Sequence, residues 1–186
     1  MRIVAGEFGG RRIRAPRGRG TRPTSDRVRE AMFAMIGPIE GERVLDLFAG
    51  SGAVALEALS RGAREAVAVE RAGPALACIR QNAETLGVGG GLRVVGRDWR
   101  AALAGEVQGG RWYGVCVADP PYDMLTRILP DLGPALAAVV RPGGTVVIEH
   151  AGSRELAGLP GLAVSDVRTR RHGDSALTVL RLEETS

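Results

Sequence analysis

The stretch Val44-Leu45-Asp46-Leu47-Phe48-Ala49-Gly50-Ser51-Gly52, followed by the helix-like run Ala53 to Arg61, decides the fold class. An apolar strand runs into a glycine loop and then into a helix, which is how a βαβ unit begins. Gly50 and Gly52 permit positive φ and close approach of a ligand to the backbone, while the helix start presents free N–H groups. A dinucleotide enzyme receives a pyrophosphate at such a turn. Gly50-x-Gly52-x-x-Ala55 is compatible with that fingerprint, so glycine spacing alone does not discriminate. Asp46 discriminates better, because a carboxylate at the strand end repels a pyrophosphate and suits a ligand that carries an ammonium group.

Outward from this loop the pattern repeats. Ala66-Val67-Ala68-Val69 ends in Glu70, Leu92 to Gly96 ends near Asp98, and Val115-Cys116-Val117-Ala118 ends in Asp119. In an open parallel sheet, ligands bind beyond the carboxyl ends of the strands, so Asp46, Glu70, Asp98 and Asp119 are expected along one edge. Glu70 then suits ribose hydroxyls. The structural alternative is helix capping, which for Asp98, just before Trp99-Arg100-Ala101, stays open. S-adenosylmethionine has both an ammonium group and a ribose.

The tetrapeptide Asp119-Pro120-Pro121-Tyr122 supplies a carboxylate, a stiffened backbone and an aromatic ring. Asp-Pro after a strand is an ordinary turn signal, but these groups also suit a planar group bearing an NH2. If Asp119 and the Pro120 carbonyl each accept one N–H, the nitrogen can pyramidalise toward a methyl donor. Tyr122 can stack on the base.

With the glycine loop, Glu70, Asp98 and Asp119-Pro120-Pro121-Tyr122 in that order, the chain resembles class I S-adenosylmethionine-dependent methyltransferases that modify amino nitrogens. Met1 to Arg12, Arg22-Pro23-Thr24-Ser25-Asp26-Arg27-Val28-Arg29-Glu30-Ala31-Met32-Phe33 and Leu56 to Gly62 narrow the resemblance to the RsmD family of 16S ribosomal RNA (guanine-N2) methyltransferases. Many relatives carry Phe where this chain has Tyr122, which keeps the ring. The resemblance implies a Rossmann-like, seven-stranded, mostly parallel α/β sheet with a C-terminal antiparallel hairpin. It implies S-adenosylmethionine as cofactor, with Glu70 on the ribose, Asp98 on the adenine amino group, and Asp46, Gly50 and Gly52 at the methionine end. Thr24, Asp26 and Arg29 are candidates to close over the same pocket, with a helix cap and a surface ion pair as their alternatives.

Residues 1–30 hold nine arginines against Glu7, Asp26 and Glu30, whereas the rest of the chain is net acidic. Arg2, Arg11, Arg12, Arg14, Arg17, Arg19 and Arg22 are therefore expected to meet an RNA backbone, the bland alternative being a solvated basic arm. The expected partner is 16S ribosomal RNA or an assembling small subunit, bound by a monomer. A chain of 186 residues buries one substantial core. The expected division is a basic hairpin-and-helix extension over 1–40 and a catalytic domain over 41–186. No apolar run is long enough to span a membrane and the N terminus lacks a signal-peptide core, so a cytoplasmic protein is expected. Cys78 and Cys116, far apart in sequence, read as core thiols rather than metal ligands, and His150 and His172 are isolated.

The spacing predicts a hairpin over 2–15, a helix starting at Thr24 to Asp26, and strands near 43–47, 65–70, 92–96, 113–118 and 144–149. Helices are predicted near 53–61, 73–86, 99–104 and 124–139, loops over Gly87–Gly91 and Gly105–Gly110, and a terminal hairpin from Leu162–Arg171 and Ala176–Leu182. Alternative functions keep part of this pattern. An adenine-N6 DNA or a glutamine-N5 protein methyltransferase uses related chemistry, but those families usually begin the motif with Asn rather than Asp119. A nicotinamide-dependent oxidoreductase leaves Asp119 to Tyr122 unexplained, and an RNA-binding module explains only the arginines.

Overall fold

Short apolar runs alternate with helical stretches, and the computed structural model, which describes residues 1–16 and 24–184, folds them into one sheet flanked on both faces. The elements are α1 (Asp26–Ile36), β1 (Arg43–Leu47), α2 (Ala53–Ser60), β2 (Glu65–Val69), α3 (Gly73–Leu86), β3 (Leu92–Val95) and α4 (Trp99–Gln108). They continue with β4 (Tyr113–Ala118), α5 (Tyr122–Ala137), β5 (Val140–Ala151), β6 (Val164–His172) and β7 (Ser175–Leu182). The strand order is β3-β2-β1-β4-β5-β7-β6. β1 to β5 pair in parallel, and β7 runs antiparallel to both of its neighbours.

Side-chain alternation sends successive strand residues to opposite faces, and each face buries its own helices. Leu45, Leu47, Cys116, Ala118 and Ile148 pack on one side with Trp99 and Leu103 of α4 and Leu125, Ile128, Leu132 and Leu136 of α5. Val44, Val115, Val117 and Val147 face the other side, against Met32, Phe33 and Ile36 of α1. Ile79 of α3 meets Ala55, Ala66 and Ala68 on that same side, where the small strand residues let the helix come close. Both cysteines are buried free thiols.

The order β2-β1-β4-β5 places the chain reversal between β1 and β4, which is where open sheets bind ligands. Asp119 follows Ala118, which pairs with both Leu47 of β1 and Ile148 of β5. The glycine loop and the tetrapeptide therefore leave the sheet side by side.

Three expectations needed correction. α4 continues through Gly105 to Gln108 where a loop was expected, because Glu106 is pinned in its last turn. The Glu106 carboxylate accepts two hydrogen bonds from Arg93 at 2.9 and 2.6 Å and one from the Tyr113 hydroxyl at 2.6 Å. β5 begins at Val140 rather than near 144, since it pairs with Tyr113 across a register shift before the regular ladder starts at Thr145. α5 begins at Tyr122 and carries Pro130 and Pro134 inside it. Its buried stripe of Leu125, Ile128, Leu132 and Leu136 offsets the backbone bonds the prolines remove.

The N-terminal hairpin has a single bridge, Arg2 to Arg12, and lies on α2 and α3 rather than apart from them. Ile3 and Ile13 are buried with Ala53, Leu56 and Leu86. The Val4 and Ala5 amides donate to the Glu57 carboxylate at 2.7 and 3.0 Å, and the Phe8 amide donates to the Ser60 hydroxyl at 2.9 Å. Asn82 accepts from the Arg14 amide at 2.8 Å and donates to the Arg14 and Ser51 carbonyls. Gly6 makes this fit possible, because a Cβ there would fall 1.7 Å from the Ser60 carbonyl oxygen.

Candidate active site

The glycine loop is built by backbone conformations that its neighbours hold in place. Gly50 and Gly52 have φ of 55° and 75°, and Phe48, a residue with a Cβ, also adopts a positive φ of 64°. Such a conformation costs energy in an L-residue and persists where surrounding contacts impose it. Two carboxylates provide them. Glu70 accepts from the Gly50 amide at 3.0 Å with one oxygen, and from the Arg71 and Ala72 amides at 2.7 and 2.8 Å with the other. Asp46 accepts from the Ala55 amide at 3.1 Å, in the first turn of α2. A Cβ on Gly52 would sit 3.1 Å from the Ile79 side chain, which would have to shift, and the positive φ there also favours glycine.

Asp46 is almost wholly buried, and burial, reinforced by the nearby charges of Asp119 and Glu70, pushes its pKa up to about 8. Asp46 is thus close enough to feel both carboxylates, as their positions at the neighbouring strand ends require. Asp119 itself is pushed up to about 6 by burial, with a hydrogen bond from Thr24 acting the other way. The Thr24 hydroxyl lies 3.0 Å from Asp119 Oδ2 and 3.3 Å from Glu149 Oε2.

Glu149, on β5, was not foreseen. Sequence alone places it inside an apolar run with no motif, yet it is 7% exposed and stands beside Asp119. An acidic residue in the last positions of an apolar strand was its available signal, the same one that marked Asp46 and Glu70. Asp98 is brought to the same edge as the N-cap of α4, accepting from the Arg100 amide at 3.0 Å, with Arg71 3.9 Å away. Tyr122 opens α5 and is 47% exposed, while Pro120 is buried.

The N-terminal candidates divide. Thr24 reaches the carboxylates, whereas Arg29 is fully buried and donates to the Thr24 carbonyl, the Arg2 carbonyl and the Asp26 carboxylate. Arg29 and Asp26 therefore tie the hairpin to the start of α1, and Ser25, not Thr24 or Asp26, is the cap, accepting from the Val28 amide. Arg2 pairs with Asp26 at 3.4 Å, and Arg11 donates to the Leu86 and Thr85 carbonyls. Arg12 and Arg14 are exposed. Arg17, Arg19 and Arg22 lie outside the described residues. His150 is buried, with its ring bonded to the Ala151 carbonyl and the Thr178 hydroxyl. Among the described residues no group of three or more His, Cys, Asp or Glu side chains is placed to hold a metal ion, and no helix is long and apolar enough to cross a membrane.

The family described as Conserved hypothetical protein 95 matches residues 1–181. Ribosomal RNA small subunit methyltransferase D of Escherichia coli strain K12 is 40% identical over 123 residues, which are 66% of this chain and 60% of that protein. This chain belongs to the RsmD family of methyltransferases. A solved hypothetical protein of Thermus thermophilus superposes with a TM-score of 0.82 at 33% identity, covering 98% of this chain and 99% of that one. An RNA methyltransferase of Salinibacter ruber, solved with S-adenosyl-L-homocysteine, shares the fold at 21% identity, with a TM-score of 0.67 over 89% of this chain and 96% of that one.

The residues present fit S-adenosylmethionine, the cofactor that the resemblance implies. A buried carboxylate with a raised pKa, Asp46, sits beneath a glycine loop above which space is open, since a Cβ on Gly50 would meet nothing nearer than 4.0 Å. An ammonium group is what such a carboxylate lacks for full ionisation.

Proposed function

We propose that this chain transfers the methyl group of S-adenosylmethionine to the exocyclic N2 amine of a guanine in small-subunit ribosomal RNA. The observation that carries the proposal is the half-buried Asp119, which directly follows β4 beside the strand that leads into the glycine loop, three residues before the exposed Tyr122. When bound, S-adenosylmethionine supplies an electrophilic sulfonium methyl, so the protein's task is to place and improve the nucleophile.

Asp46 takes the ammonium end with the Gly50 and Gly52 backbone, Glu70 the ribose hydroxyls, and Asp98 the adenine amino group. Asp119 and the Pro120 carbonyl each accept one N2–H, so that the nitrogen lone pair leaves the ring π system. The burial that raises Asp119 also makes it a better proton acceptor near neutral pH. Tyr122 stacks on the splayed base, and the exposed Arg12 and Arg14 meet phosphates. The N-terminal 1–40 segment is the RNA-facing extension of a cytoplasmic, monomeric enzyme.

The experiment incubates the protein and labelled cofactor with small-subunit particles lacking the modification, then maps the product by nuclease digestion and mass spectrometry. Label in N2-methylguanosine supports the reading. Label in N6-methyladenine or in protein overturns it.

Two further outcomes follow from individual residues. Tyr122→Ala is expected to weaken RNA binding by ~5- to 150-fold, the range of one lost base–aromatic stack, while S-adenosylhomocysteine affinity stays within about twofold. Filter binding and titration calorimetry measure the two, and Tyr122→Phe should behave as wild type. Cofactor binding at pH 7 is expected to release a proton, because Asp46, protonated in the free protein, ionises beside the ammonium group. Calorimetry in buffers of different ionisation enthalpy reads that proton. Equal release in Asp46→Asn would remove Asp46 from the role.

A further inference from the structure

One hydroxyl bridges two carboxylates where β4 ends beside β5. Thr24 has a single O–H, yet its oxygen lies within hydrogen-bond reach of both Asp119 Oδ2 and Glu149 Oε2. Glu149 follows Val146, Val147 and Ile148, all fully buried, at a depth where a carboxylate is costly and an apolar side chain would serve the fold. Its level is set by register, because Ile148 pairs with Ala118 and the next residue on each chain segment is Glu149 and Asp119. Its side is set by topology, since β4 separates β5 from β1. Glu149 therefore stands on the far side of Asp119 from the glycine loop, where the acceptor base and not the cofactor must lie.

We propose that Glu149 determines base specificity by accepting the N1–H of guanine while Asp119 and the Pro120 carbonyl hold the N2 amine. This rests on the guanine reading given above. Guanine presents N1–H and N2–H donors side by side on one edge, and two carboxylates spanning one hydroxyl match that edge as two acceptors. The incoming base displaces the Thr24 hydroxyl from between them. Adenine carries a lone pair at N1, which a carboxylate repels, so the same side chain that admits guanine excludes the commonest competing purine. A site that hydrogen-bonds a polar group rejects analogues lacking it more strongly than shape alone would.

The test exchanges the hydrogen-bond polarity of base and side chain. Small-subunit particles are reconstituted with either guanine or 2,6-diaminopurine at the nucleotide that the wild-type protein modifies; the analogue keeps the 2-amino group but has a lone pair at N1. Wild type is expected to methylate guanine ~10- to 100-fold faster, the discrimination of one well-made base contact. Glu149→Gln places an N–H donor there and is expected to narrow or invert the ratio, with S-adenosylhomocysteine affinity unchanged. Because the ratio is taken within one preparation, a loss of stability does not obscure it. A guanine-to-diaminopurine ratio in Glu149→Gln equal to that of wild type overturns the proposal while leaving guanine methylation standing. Wild-type label outside guanine overturns both.

Discussion

Asp119→Ala is expected to cut methyl transfer by orders of magnitude while leaving cofactor binding intact. In the proposed mechanism the carboxylate holds one N–H of the amine and is in place as the nitrogen develops positive charge, a contact formed in full only in the transition state. Removing a preorganised electrostatic partner of that kind costs ~100- to 1,000-fold in turnover. Asp119 follows β4, whereas the Gly50 and Ala55 amides that shape the cofactor loop are held by Glu70 and Asp46. The loss should therefore fall on kcat, with S-adenosylhomocysteine still raising the melting temperature. Full activity in Asp119→Ala would remove the mechanism.

The neutral analogue separates activity from stability with a definite sign. Burial raises the pKa of Asp119 from 3.8 to about 6, so the folded state holds its proton more tightly than the unfolded chain does. The associated stability is fully present below the unfolded value and is lost as pH rises through about 6. Asp119→Asn escapes that loss. It should melt above wild type at about pH 8, converge with it near pH 4, and turn over more slowly than wild type at pH 8, as thermal melts and a labelled-methyl assay would read. A destabilised carboxylate kept at a site is the usual form of a stability–activity trade-off.

The parts of this site that could be read from sequence are those whose partners are near in the chain. The glycine loop follows its strand directly, so Asp46, Gly50 and Gly52 announce themselves, and Asp119 to Tyr122 is continuous. Glu70 and Asp98 could be placed by strand order, though the hydrogen bonds by which Glu70 fixes the Gly50 amide and Asp98 caps α4 needed coordinates. Glu149 and Thr24 were beyond reach as a pair, because they stand 125 residues apart and meet only once α1 packs on the sheet. Arg29 shows the opposite case: it was a candidate to close over the pocket, but its Nη1 and Nη2 groups are taken by the Thr24 and Arg2 carbonyls and the Asp26 carboxylate. Local propensity also misjudged Gly105, where a helix continues through a glycine because Glu106 is tied to Arg93 and Tyr113.

Glu57→Ala should be the most damaging substitution away from the reacting atoms. Glu57 is fully buried on α2, where its two carboxylate oxygens take the Val4 and Ala5 amides and the Arg61 side chain donates at 2.9 Å. Truncation strands two backbone donors and one guanidinium at once, and the breaking of a buried charge network costs ~3 to 5 kcal/mol. In a chain of this size that lowers the melting temperature by ~6 to 20 °C. Gln is expected to recover part of the loss, because its amide offers one acceptor oxygen but turns an NH2 toward a donor. The local consequence is as informative as the global one. Ser60 and Asn82 still hold the hairpin at Phe8 and Arg14, so it loosens first at Val4 and Ala5, next to the Arg2 carbonyl that Arg29 uses to place Thr24. Hydrogen exchange should rise at residues 3–6 before it rises in β4, and KM for the RNA substrate should increase more than Kd for S-adenosylhomocysteine. If exchange rises equally in hairpin and sheet, Glu57 stabilises the whole fold and does not set the hairpin over the site.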